Sequence, residues 1–436
     1  MSDEIKKNLG ASYKKDLWIT TFIPFAAAMS ASGTLIPLFI IVLGGNVSDI
    51  GFISSISSAI SLPLAFLWGK LSDDTGKRKL FILIASLGAF GIYLGYAFSF
   101  NLIHLYVLSI ISGLLLGAGS TATQQNLFEN YPPDLWEEKI SRLNLFNGIG
   151  SCLGMLFGAL FQMYFANYMT FFIISSILCL ISSVLGFFLI KDKKERAIMK
   201  PKSEKIIVGN LDLPIYSSLT FRRISYIIPK MGVEKKDKYF LKYFTKYILI
   251  FLVSSFIFHL SSSLTFTPLS GWMNTIKNIE DTYIFWIFLS YYVILTLSFL
   301  FVGKSIDKYG NRKMLFLGLI LRIITYILFV IFSIITLPLT SMLIGFIFIS
   351  GLAGLGISFI KVVFSNMFPR LIEGGENLGE MLSIYSIING LAGILGSYIC
   401  GIIAESIPYG FSILFLLSAV LTGITMIIFL LVKKLK

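Results

Sequence analysis

Two short stretches hold the charged side chains whose spacing is most suggestive of work. Gly69 to Lys79 reads GKLSDDTGKRK, and Gly303 to Lys313, 234 residues further on, reads GKSIDKYGNRK. Both present Gly, Lys, Asp, Gly, Arg and Lys at the same offsets. In each, one glycine (Gly69, Gly303) removes the Cβ that would hold two helices apart, and a second (Gly76, Gly310) is free to take the φ > 0 conformation of a tight reversal. Asp73 and Asp307 then stand within a turn's reach of Arg78 and Arg312. Carboxylates and guanidinium groups so placed are suited to contacts that make and break as helices move.

The remaining candidates lie inside long apolar runs, where a polar group is costly unless it is used or satisfied. His259 could bind a solute or carry a proton; equally, it could sit neutral against a hydroxyl from Ser261 to Ser263. Gln124 and Gln125, with Asn126, close the fourth apolar run, and Lys361 holds the matching place in the tenth. Together they read either as a polar vestibule attractive to an anion or as end caps and a snorkelling lysine. Arg322, in the middle of the ninth run, is expected to snorkel or to pair with a neighbouring run. Ser30, Ser32 and Thr34 in the first run could hydrogen-bond a ligand, although such hydroxyls also satisfy their own helix carbonyls. No Asp or Glu lies deep in any run: Asp49, Glu129, Glu380 and Glu405 all sit near ends.

The elements that must position these residues follow from composition. A chain of 436 residues that is 56% hydrophobic and 14% charged is too apolar for a soluble globular protein. Twelve apolar runs fall near 17-43, 50-68, 80-100, 102-125, 143-165, 168-190, 246-269, 282-302, 314-333, 338-360, 381-404 and 409-432. Each is long enough, at about 1.5 Å per residue, to cross a hydrocarbon core of roughly 30 Å. A net charge of +13 would ordinarily raise nucleic acid as a partner. Here, however, every Lys and Arg except Lys277 and Arg322 falls in a tail or in alternate loops, the positive-inside pattern of a membrane protein. That places both termini in the cytoplasm and the protein in the cell membrane as a multi-pass chain, with the lipid bilayer rather than nucleic acid as its partner.

Lysines ahead of the first run could mark a cleaved signal, but the run stays apolar to Leu43, too long for one. Cys152, Cys179 and Cys400 lie inside runs without ligand spacing, so no metal site or disulfide framework is expected. Gly303-Lys304-Ser305 ends like a phosphate-binding loop, yet Ser298 stands where that motif needs glycine. Zinc-protease and dinucleotide motifs are missing as well, and the chain is read as no enzyme, with no cofactor. Asn46-Val47-Ser48 fits a glycosylation sequon.

The two halves match beyond the loops. Pro37 in the first run corresponds to Pro268 in the seventh, and Asn147-Gly148 in the fifth to Asn389-Gly390 in the eleventh. Gly150, Gly154 and Gly158 recur every four residues in the fifth run, with Gly393 and Gly396 in the eleventh, faces on which helices can approach closely.

The paired charged stretches resemble the loop signature between helices 2 and 3, and between helices 8 and 9, of the major facilitator superfamily of secondary transporters. The resemblance implies an all-α membrane protein of twelve transmembrane helices in two six-helix pseudo-repeats. Residues 1-190 and 246-436 would form the halves, joined by a basic cytoplasmic linker at 191-245. It implies transport of a small organic solute by alternating access, with the substrate site between the halves near the midplane. The two loops (Gly69, Asp73, Gly76, Arg78 and Gly303, Asp307, Gly310, Arg312) would then act as the inner gate. The helices lining the cavity in this family are those carrying Ser30, Thr34, Gln124, Gln125, His259 and Lys361, so these are the candidates for binding the substrate or coupling to H+. A monomer is expected. Drug-proton antiporters of the family carry Arg where this chain has Gly113 and Pro where it has Met155. These departures leave efflux, import, passive facilitation and a non-transporting sensor all open.

Overall fold

The computed structural model describes residues 16–131, 136–192, 246–371 and 378–431. Among them are twelve helical spans long and apolar enough to cross a membrane. In chain order the helices are α1 (Phe22–Val42, led by the 3₁₀ turn Leu17–Thr21), α2 (Val47–Thr75), α3 (Arg78–Ala97), α4 (Leu102–Asn130), α5 (Trp136–Tyr164) and α6 (Tyr168–Leu189). The second set is α7 (Lys246–Phe266), α8 (Asp281–Tyr309), α9 (Asn311–Ile334), α10 (Leu339–Leu371), α11 (Leu378–Ser406) and α12 (Gly410–Leu431). Twelve crossings return the chain to the face where it began, here called the terminal face; the opposite one is the distal face. All but the first two residues of the linker 191–245 lie outside the described residues.

Helices are the only open-ended elements that satisfy every backbone group without water, which is why the apolar runs take this form. Their outward sides carry exposed Phe187, Phe188, Ile344 and Phe348. At the distal face of the first half, each helix start is capped by asparagine. Asn46 and Asp49 exchange side-chain-to-backbone bonds of 2.9 Å, and Asn101 and Asn167 each accept from the residue three positions on at 3.1 Å. The asparagine of the sequon is thus a helix cap.

At the terminal face the helices outrun their apolar stretches. α2 continues to Thr75, α4 to Asn130, α8 to Tyr309 and α10 to Leu371, and α5 begins at Trp136. Hydropathy marks the lipid-embedded part only, and these ends project into polar surroundings as ordinary helix. Consequently Gln124, Gln125 and Asn126 do not end α4 as expected; they lie within its final two turns. The matched prolines also behave differently. Pro37 is tolerated inside α1, whereas α7 breaks before Pro268 and resumes as Leu269–Thr275.

Helix pairing repeats between halves. α1 packs on α5 and α6, α2 and α3 on α4, and α3 on α6; six positions later α7 packs on α11 and α12, α8 and α9 on α10, and α9 on α12. The halves meet along α2 with α11 and α5 with α8, a symmetric pair of seams. Glycines explain the close approaches. Cβ atoms on Gly150 or Gly154 would run into the α1 backbone, and one on Gly396 into Ser263 of α7, so these seat α5 and α11 within their own halves. Gly158, with Gly148, faces α8 instead, against Phe285 and Thr296. The spacing every four residues therefore spans two interfaces. A Cβ on Gly393 would meet only Ser263, at an ordinary 3.9 Å.

Candidate transport pathway and gates

At the terminal face the two signature glycines do the same job. Gly76 ends α2 with φ +65°, its N–H on Ser72 O at 3.0 Å, and Gly310 joins α8 to α9 with φ +85°, its N–H on Ile306 O at 2.7 Å. An L side chain at either position would be strained. The first residue of α3, Arg78, is buried. Its Nη1 donates to Ser72 Oγ at 2.7 Å, and Nη2 and Nε donate to Glu129 Oε1 at 2.8 and 3.1 Å, tying α2, α3 and α4 together. The side chains of Gly69, Asp73 and Gln124 lie outside the described residues.

The second copy is arranged differently. Asp307 is exposed, and Arg312 donates to Leu430 O at the end of α12, at 3.2 Å. Among the described residues no ion pair joins Asp307 to Arg312, contrary to the expected pairing. The carbonyl end of α12 carries partial negative charge and is the cation's partner in this conformation. Nor does any neighbour approach Gly303: a Cβ there would meet nothing within 4 Å. The surface expected to need close contact faces open space.

A second ionic node near this face was not anticipated. Asp16, buried ahead of α1, accepts from Tyr131 OH at 2.6 Å, from Lys139 Nζ at 2.8 Å and from Arg142 Nη1. Burial alone would raise its carboxyl pKa. The bonds from Lys139 and Tyr131 and the charges of Lys139 and Arg142 outweigh that and hold it below the usual range. Nothing in the spacing of four residues spread over 126 positions pointed to it.

At mid-depth a cavity of about 320 Å³ lies between α1, α5 and α8, lined by Phe25, Ala26, Met29, Ser30, Asn147, Ser151 and Tyr292. Ser30 borders it while donating to Ala26 O at 2.8 Å. Thr34 is buried one turn on, bonded to Ser30 O at 3.2 Å, and does not line it. Across the pseudo-symmetry Asn389, the counterpart of Asn147, accepts from Ser255 Oγ at 2.7 Å.

Gln125 is half-buried. Lys361 is exposed and borders neither cavity described here. His259 is half-buried beside the Phe258 ring, in the field of Arg322. Two of the three hydroxyls expected to serve it are engaged elsewhere: Ser261 bonds Thr422, and Ser262 bonds Arg322. Arg322 itself does not snorkel; it is 2% exposed inside the second half.

The distal ends of the seams are closed. Glu405 accepts from Ser48 N and Oγ at 3.0 and 2.7 Å, and Ser48 Oγ also reaches Gly401 O at 3.0 Å. Ser55 Oγ reaches Ile394 O at 3.2 Å, and Tyr168 OH donates to Asp281. Deeper, Cys152 touches Thr296 across α5 and α8 at 3.7 Å. Toward the terminal face the α5–α8 seam instead opens into a cavity of about 280 Å³ bordered by Glu138, Arg142 and Phe299.

A two-half bundle with a central cavity, sealed on one side, is the architecture of a secondary transporter. The family model described as Major Facilitator Superfamily matches residues 17–269 and 251–436. The chain belongs to that superfamily: it is a twelve-helix membrane transporter and not an enzyme. Among solved structures, a mutant of the nucleoside transporter NupG is similar with a TM-score of 0.70. The match covers 97% of this chain and 100% of that one at 14% identity, a likeness of fold. No curated protein matches the chain.

Proposed function

We propose that this transporter moves a small organic solute by alternating access, its halves (1-190 and 246-436) rocking about the cavity at Ser30, Asn147 and Tyr292. The observation that carries this reading is the one-sidedness of the contacts between halves. Ser48–Glu405, Tyr168–Asp281 and the Gly51–Gly401 approach seal the distal side, while toward the terminal face the α5–α8 seam opens into the cavity beside Glu138 and Arg142, and a Cβ on Gly303 would meet nothing within 4 Å. When the bundle rocks, the loops come together, and Asp73, Arg78, Asp307 and Arg312 form the closing contacts there. The positive-inside charge supports placing the terminal face in the cytoplasm of a cell membrane. One chain holds both seams and the cavity, so the working unit is a monomer. The basic linker 191-245 tethers the halves.

Export, import and passive equilibration use the same motion. Counter-flow in proteoliposomes, run against a panel of sugars, amino acids, organic anions and lipophilic cations, tests the reading. Exchange of a labelled solute across the membrane supports it, and an imposed proton gradient then separates coupled from passive movement. A solute that binds but never exchanges would overturn transport in favour of a sensor.

A further inference from the structure

Arg322 lies at mid-span of α9, with its guanidinium reaching neither face of the membrane. Its charge is enclosed by aromatic rings: Phe266 at 4.4 Å, Tyr326 at 5.2 Å and Phe258 at 5.8 Å from the guanidinium carbon. On the α10 side Gly356 leaves room for the stem, since a Cβ there would come within 3.2 Å of Arg322 Cγ. Nη2 donates to Ser262 Oγ at 2.8 Å, while Nε and Nη1, fully buried, have no hydrogen-bond partner in the protein. Among the described residues no carboxylate pairs with it. Ring faces offset part of the charge, but they cannot accept the remaining N–H bonds as an oxygen does. A buried guanidinium with open donors, beside a hydroxyl and an imidazole, is the donor set that recognises a carboxylate or phosphate.

The position fits a solute pathway. Phe266 contacts Tyr291 at 6.1 Å, Tyr291 meets Tyr292 at 5.1 Å, and Tyr292 lines the central cavity. A chain of three aromatic rings, Phe266, Tyr291 and Tyr292, therefore links Arg322 to the space where a solute would sit. Lys361, exposed on α10 of the same half and also without an acidic partner among the described residues, adds to the positive field of that half.

We propose that Arg322, with Ser262 and His259, is an anion-binding subsite, and that the transported solute carries a carboxylate or phosphate group that docks there. This rests on the transport reading above and names the substrate class for it.

The test is thermal stability of the purified, detergent-solubilised full chain at constant sodium concentration. Acetate, benzoate, inorganic phosphate and chloride are compared with the neutral twins acetamide and benzamide, on the wild type, Arg322→Gln and Arg322→Lys. A carboxylate or phosphate should raise the wild-type melting temperature where its neutral twin does not. Arg322→Gln should abolish that rise without lowering the ligand-free melting temperature, because it removes an under-satisfied buried cation. Arg322→Lys should weaken the apparent affinity about tenfold, the loss of roughly one charge-assisted hydrogen bond, and it carries the test by itself if the glutamine variant does not fold. Three results would overturn the proposal: no carboxylate or phosphate surpassing its neutral twin, a response unchanged in both variants, or stabilisation by chloride alone. Counter-flow of a neutral solute alongside such a result would leave transport standing and remove only the anion subsite.

Discussion

Gly51 is the position at which the distal seal can be opened by a single methyl group. Where α2 crosses α11, a Cβ on Gly51 would come 2.5 Å from Ser397 O and 3.0 Å from Gly401 Cα. Both are backbone atoms and cannot swing aside as a side chain would. Gly51→Ala therefore forces the distal ends of the two helices apart, an overpacking cost of about 1–3 kcal/mol borne by the sealed conformation. A conformation in which those ends have separated bears none of it. The ratio of distal-open to distal-closed molecules should accordingly rise by about 5- to 150-fold. A cysteine at Met29, which borders the central cavity, reports this opening once Cys152, Cys179 and Cys400 are replaced by alanine. Its labelling by an impermeant maleimide from the distal side should accelerate by the same factor, because labelling samples the open fraction. Gly33→Ala is the control: it adds the same methyl to α1, where nothing lies within 4 Å, and should leave the rate unchanged. An unaltered rate in folded Gly51→Ala, or an equal rise in both variants, would refute the assignment of this crossing as the seal.

Two further outcomes follow from the terminal face. Asp16 has a depressed carboxyl pKa in the folded state, so its ion contacts stabilise above the unfolded value of about 4 and are lost as pH falls through the folded value beneath it. Melting curves of the wild type and Asp16→Asn should therefore differ by a constant amount from neutral pH to about pH 4 and converge only below it; a gap that closes near pH 6 would contradict the contact geometry. At the signature loops, Gly310→Ala should cost about 1–3 kcal/mol of stability, because φ +85° with ψ 153° is a glycine-only region. Gly303→Ala, facing open space, should leave the melting temperature within about 0.5 kcal/mol equivalent while slowing counter-flow, since the loops close on that surface. Normal counter-flow in Gly303→Ala would sink the closing role of this surface.

The spans were legible because lipid demands long apolar helices and because charge alternates between the faces. The correspondence of the two six-helix halves was legible through the repeated loops. What the sequence could not convey is rotation about a helix axis. Arg322 read either as snorkelling or as pairing with a neighbouring helix, because a lone arginine in an apolar run says nothing about whether it faces lipid or protein; it bonds Ser262 of α7. The small residues at its level, Gly318 one turn before it on α9 and Gly356 facing it on α10, were the available signal, since they let the two helices approach closely there. Arg78 was matched with Asp73, whose side chain lies outside the described residues; its bond to Glu129, 51 positions away on α4, had no signal in the spacing. The glycines of α5 looked like a single face, but two serve α1 and one serves α8, a distinction set by where three helices converge.

The halves use their buried charges in opposite ways, and this bears on how a ligand could drive the cycle. In the first half the buried ions are paired and lie at the terminal face: Arg78 with Glu129, and Lys139 and Arg142 with Asp16. Such ties hold the ends of α2 to α5 as a unit, because removing either partner would leave a buried charge uncompensated. In the second half Arg322 is buried within a membrane-spanning helix, and neither it nor the exposed Lys361 has an acidic partner among the described residues. A ligand can bias a conformational equilibrium only by interacting differently with its two states. A neutral solute would leave the cost of those cations equal in both and so shift nothing through them. An anionic group that reaches Arg322 in one state and not in the other would lower that cost selectively, turning binding energy into movement of one half against the other.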